Sequence, residues 1–185
     1  MDLKKKARAA ALLALCLVML LALAGCGNSG AKKKIAADAA ERLEAIVSGD
    51  YSSLAYLAVG LDADGLAEYG VDETELLVAF LDGFSYEVGD VTVSGSTAIV
   101  SVTLTCKSYA EFYEAFEDAV FDIALDNSSA SDSKLAALYC EALYEALADA
   151  SHVTINVELT YEKIDKTWYP TDDYEQMLAE ALLSA

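Results

Sequence analysis

The chain has 185 residues, 12 of them Lys or Arg and 31 Asp or Glu, giving a net charge of −19. Its length suits one domain of roughly 100–200 residues with a core that needs no disulfide scaffold. The acidic balance argues against nucleic acid as a partner, because that binding depends on neutralising phosphates with Lys and Arg.

At the N-terminus, Lys4, Lys5, Lys6 and Arg8 precede an uncharged apolar run from Ala9 to Ala24. That run is shorter than the ~20 residues a transmembrane helix needs, and it ends in small residues, as a secretory signal does. Leu23-Ala24-Gly25-Cys26 follows, with Asn28, Ser29 and Gly30 behind it. The motif resembles the lipobox of bacterial lipoproteins. The resemblance implies cleavage after Gly25, two acyl groups on Cys26, and residence on the extracytoplasmic face of the cell membrane. The expected organisation is a signal peptide over 1–25, a lipidated Cys26 with a flexible basic tether over 26–34, and one domain over 35–185.

Without residues 1–25 the chain keeps 8 basic and 30 acidic residues, net −22. Three of the eight are Lys32, Lys33 and Lys34. They read either as a solvated linker or as a patch drawn to anionic lipid at about 1 kcal/mol per charge.

From Ile35 the period is helical, with Ile35, Ala39, Leu43 and Ile46 on one face. Ser48-Gly49-Asp50 breaks the run. Short helical segments are expected at Ser52–Val59 and Asp64–Tyr69. Asp72 and Glu75 then form a capping-box variant ahead of Leu76, Leu77, Phe80 and Leu81. After Gly83 the period becomes two. Tyr86 and Val88 share one parity and Val91 and Val93 the other, a phase shift that predicts a bulge at Gly89-Asp90. Ser94-Gly95-Ser96 makes the turn into a strand from Thr97 to Lys107.

Ser108 and Glu111 form a second capping box, followed by an apolar helix face of Phe112, Phe116, Val120 and Ile123. A loop over Asn127–Ser133 and a helix over Lys134–Ala150 complete an αα-hairpin. The next strand alternates Val153, Ile155, Val157, Leu159 and Tyr161 against polar residues. Asp165-Lys166 turns it into Trp168-Tyr169, and Thr171 is the expected cap of a last helix. The fold class is α+β, with helices on one face of a small antiparallel sheet.

The Gly49-Asp50-Tyr51 break, the hairpin at Ser94-Gly95-Ser96 and the late hairpin at Asp165-Lys166-Thr167-Trp168 together resemble small extracytoplasmic lipoproteins of unknown function. The fold implied is the nuclear transport factor 2-like, or cystatin-like, cone. If such a cone encloses a pocket, Tyr86, Tyr161, Trp168 and Tyr169 are the candidates for its mouth.

Chemistry-bearing motifs are scarce. His152 is the one histidine and opens a strand without an identifiable partner, and no nucleophile, phosphate-loop or zinc motif is present, so no catalytic residue is expected. Asp62-Ala63-Asp64-Gly65 with Glu73 begins like a calcium loop. Leu66 and Ala67 break the ligand set, leaving loose divalent-cation association with the acidic surface and no metal site or other cofactor. Cys106 and Cys140 are two separate thiols or a disulfide; closing that 35-residue loop is worth roughly 3–4 kcal/mol. The sequence therefore points to a membrane-tethered binding or interaction domain with a protein or small-ligand partner. A small-molecule cone or a carboxylate-based enzyme is the alternative.

Overall fold

Period-two alternation and helical stripes resolve, in the computed structural model, into seven helices and one four-stranded antiparallel sheet over the described residues, 29–185. The expected signal peptide and Cys26 lie outside them. In chain order the elements are α1 Ser29–Val47, α2 Ala55–Gly60, α3 Ala63–Ala67, α4 Glu73–Phe80, β1 Ser85–Ser94, β2 Thr97–Lys107, α5 Tyr109–Asp126, α6 Asp132–Asp149, β3 His152–Ile164, β4 Thr167–Pro170 and α7 Tyr174–Leu183. Strand order follows the chain, β1-β2-β3-β4. No helix among the described residues is long and apolar enough to cross a membrane.

The sheet owes its one-sided character to side-chain parity. Tyr86 opposes Leu104 and Val88 opposes Val102, but the next inward pair is Val91 with Val100. β1 advances three residues while β2 advances two, so the bulge at Gly89-Asp90 keeps apolar residues on one face despite the phase change. A side chain at Gly89 would sit 3.2 Å from the Ser101 carbonyl oxygen, which explains the glycine there. Gly95, at φ +63°, takes the first position of the two-residue turn between Ser94 and Thr97. Along β3, Val157, Leu159 and Tyr161 are buried while Thr154, Asn156 and Glu158 face water.

Helices cover the inner face. Ile35, Ala39, Leu43 and Ile46 of α1 meet it, joined by Leu76 and Phe80 of α4, Leu143 and Leu147 of α6, and Leu178 and Leu182 of α7. These pack on Val100, Val102, Leu104 and Leu159, all essentially inaccessible to water. The sheet face is filled rather than hollow.

Local expectations fail where tertiary partners compete for the same groups. Within the described residues α1 covers Ser29–Val47, so Lys32–Lys34 occupy helical turns instead of a flexible tether. Ala and Lys are good helix formers, so Ala31–Lys34 can be helical without presenting an apolar stripe. At α5 the Ser108 hydroxyl accepts from the Glu111 N–H at 3.3 Å, as a capping box requires. The return bond is replaced: Ser108 N–H donates to the Ser151 carbonyl oxygen at 2.8 Å, and the Glu111 carboxylate instead accepts from Ser151 N–H at 2.9 Å. The β2–β3 ladder claims the cap's donor and turns Glu111 into a clamp between α5 and β3. Thr171 does not cap α7; its hydroxyl donates to the Thr160 carbonyl oxygen at 3.1 Å, and Asp173 takes the cap position. On α5 only Phe112 is fully buried, with Phe116, Val120 and Ile123 half-buried and Phe121 and Leu125 facing solvent.

Candidate functional site

Tyr161 lies near the far end of the inward row of β3, and α1 crosses the sheet directly above it. The Tyr161 hydroxyl donates to Asp38 Oδ2 at 2.9 Å, and the Arg42 guanidinium, one helical turn along α1, donates to the same oxygen at 2.8 Å. Arg42 also lies 5.8 Å from the centre of the Tyr174 ring, which meets Tyr161 edge-on at 5.8 Å. Burial, reinforced by Tyr174 and Asp38, raises the Tyr161 phenol far above its ordinary range, so it is a fixed donor. Burial likewise pushes Tyr174 up to about 12.

Beside this cluster, α1 and the β3–β4 hairpin leave a cleft of about 230 Å³ lined by Lys34, Ile35, Asp38, Tyr161, Lys166, Thr167 and Trp168. Trp168 pairs across the hairpin with Lys163, whose ammonium lies 5.7 Å from the centre of the indole. Lys166 enters from a turn in which both Asp165 (φ +48°) and Lys166 (φ +71°) are left-handed. That two-residue geometry normally favours Asn-Gly or Asp-Gly.

Of the four aromatic candidates, the structure brings two together, Tyr161 and Trp168. Tyr86 is on the same sheet face but meets the opposite flank of α1, its hydroxyl 3.0 Å from the Ala40 carbonyl oxygen and 3.1 Å from Glu44 Oε2. Tyr169 pairs with Glu162 on the opposite face and is half exposed. Lys34, Asp38 and Lys166 were missed as site residues. Two signals pointed to them: Asp38 and Arg42 at i, i+4, and the rarity of lysine in this chain.

The remaining motifs lie apart from the cleft. His152 Nε2 is 2.8 Å from the Asp82 carbonyl oxygen, which only accepts, so Nε2 carries the proton. The imidazole packs over Gly83, where a Cβ would fall 2.3 Å from Nε2. Asp62, Asp64 and Glu73 border a second cleft of about 260 Å³, yet among the described residues no group of three or more His, Cys, Asp or Glu converges on a metal-binding position. Cys106 and Cys140 are both free. Cys106 is buried on the inner face of β2, whereas Cys140 lines an apolar cleft of about 290 Å³ with Leu66, Tyr69, Val71, Phe116, Val120 and Tyr139. No bond joins the two sulfur atoms in the structure.

Fold and site together define an α+β domain with a filled sheet face and a cationic aromatic cleft at its margin. Neither a protein-family profile nor a curated protein matches the chain. Among solved structures, a Bacillus subtilis subsp. subtilis str. 168 protein described as "a putative lipoprotein (ycdA)" is 24% identical, over 66% of this chain and 44% of that one, with a TM-score of 0.42. The present chain thus spans less than half the length of that protein.

Proposed function

We infer that this chain is a lipid-anchored, extracytoplasmic binding domain without catalytic activity. The Leu23-Ala24-Gly25-Cys26 sequence behind an uncharged apolar run carries the reading. It supplies the small residues a signal peptidase needs and the thiol that receives the lipid. Two acyl chains give stable attachment where a single chain is marginal. Binding rather than catalysis is supported by the engagement of the obvious acid–base groups. Asp38 is held by Tyr161 and Arg42, and His152 by a backbone carbonyl.

The likeness to nuclear transport factor 2-like cones is supported by α1 lying across a bulged antiparallel sheet. Since side chains fill that face, ligand recognition falls to clefts at the edge of the fold. A second reading, binding of a small apolar molecule, is favoured by the cleft around Tyr69, Tyr139 and Cys140. It would appear as thermal stabilisation by an apolar ligand that also protects Cys140 from alkylation.

Metabolic labelling with a fatty acid tests the anchoring. Label is expected on the wild-type chain and absent from Cys26→Ser. Label that persists on the serine variant refutes the assignment.

A further inference from the structure

The eight basic residues after Cys26 are unevenly placed. Lys32, Lys33, Lys34 and Arg42 lie on α1 and Lys163 and Lys166 in the β3–β4 hairpin, leaving only Lys107 and Lys134 elsewhere. Among the described residues the single ion pair is Arg42–Asp38. Lys34 and Lys166 thus face one cleft from opposite walls without a carboxylate partner, in a mature chain with 30 acids.

We propose that the cleft formed by Lys34, Lys166, Thr167 and Trp168 binds the phosphate headgroup of an anionic phospholipid, docking this end of the domain on the membrane that anchors it. The inference rests on lipidation of Cys26. Ser29 follows Cys26 by three residues, at most about 11 Å of extended chain. Lys34 is five residues further along α1, about 7.5 Å of helical rise. An acylated Cys26 therefore keeps the cleft within roughly 20 Å of the bilayer surface, along the contour of the chain.

The chemistry of the cleft suits that occupant. Two ammonium groups and a hydroxyl are apt donors to a phosphate, for which lysine acts as a point charge. An indole at the rim matches the preference of tryptophan for the membrane interface. The cleft, at about 230 Å³, is smaller than the sites that take drug-sized molecules and of a size for a headgroup.

The acidic remainder of the domain does not forbid docking. The Debye length is about 8 Å at physiological ionic strength, so charges on the far side are screened. Asp38, the acid that lines the cleft, is paired with Arg42.

Trp168 is the only tryptophan and reports on this site alone. The full acylated protein is reconstituted into phosphatidylcholine vesicles with and without phosphatidylglycerol, some carrying brominated acyl chains. Tryptophan emission is expected to shift to the blue and to be quenched by bromine only when phosphatidylglycerol is present, and to revert at high salt. A Lys34→Glu/Lys166→Glu variant with unchanged circular dichroism should still float with both vesicles but lose the response. At about fivefold per lysine, Lys34→Ala alone should raise the phosphatidylglycerol content needed for half the response severalfold. Flotation with identical emission in both vesicles overturns headgroup binding while leaving the anchor intact, as does an unaltered response in the double variant. Failure to float with either vesicle removes the anchor and the inference together. A blue shift in phosphatidylcholine vesicles on adding soluble glycerol phosphate assigns the cleft to a free phosphate ester and overturns the lipid assignment.

Discussion

Tyr161→Phe removes one oxygen from the most buried polar contact between α1 and the sheet. The ring is only 1% exposed and its hydroxyl donates to Asp38 at 2.9 Å. A hydrogen bond to a charged acceptor is worth about 1.5–3 kcal/mol. Asp38 keeps Arg42 as a donor and its side chain is 38% exposed, so water can occupy the vacated position. The expected loss is therefore at the lower end, about 1–2 kcal/mol, or a fall in Tm of about 2–8 °C for a domain of this size. Urea denaturation followed by circular dichroism measures it, with an unchanged m-value as the sign that the native and unfolded states keep their compactness. A double-mutant cycle with Asp38→Ala assigns the loss to the pair, with an expected coupling of about 1 kcal/mol. If Tyr161→Phe stays within about 0.3 kcal/mol of wild type, or the two changes are additive, this bond does not hold α1 to the sheet.

The Ser151 N–H holds the Glu111 carboxyl below the usual glutamate range. A depressed pKa contributes stability above the unfolded value of about 4.3 that is lost as pH falls through the folded value. Glu111→Gln should accordingly lower the neutral plateau of a stability–pH curve and converge on the wild type at acid pH, flattening the acid limb; a curve parallel to the wild type refutes the clamp. Non-reducing alkylation read by mass spectrometry should modify Cys140 in the native protein and Cys106 only after unfolding, because burial also pushes the Cys106 thiol up. A recovered Cys106–Cys140 disulfide contradicts this. Lys166→Gly relieves a left-handed backbone costing about 1–2 kcal/mol, less the entropy cost of glycine, about 0.5–1 kcal/mol. Thermal melting should show a net gain of up to about 1.5 kcal/mol, and a loss shows that the lysine side chain contributes more to the fold than its backbone geometry costs.

Features encoded within a few residues were legible directly. The alternation from Val153 to Tyr161, the phase change at Gly89-Asp90 and the Asp72 and Ser108 caps reflect local sterics and parity, which act before any distant partner arrives. The helical state of Lys32–Lys34 was not legible, because this stretch carries Ala and Lys without an apolar stripe. The cap of α7 was misplaced because a strand carbonyl takes the Thr171 hydroxyl.

The sequence by itself determined the class of fold, the inward row of β3, the acidic character and the Leu23-Ala24-Gly25-Cys26 motif. Only the tertiary structure decided that Lys34 would face Lys166 across a cleft, that Tyr161 and Trp168 would share it while Tyr86 and Tyr169 would not, and that Cys106 would be buried while Cys140 lines a second, apolar cleft. The physical reason is reach. Side-chain periodicity states which face a residue occupies, whereas the path of α1 over the sheet depends on packing between residues more than a hundred positions apart, Asp38 and Tyr161 among them.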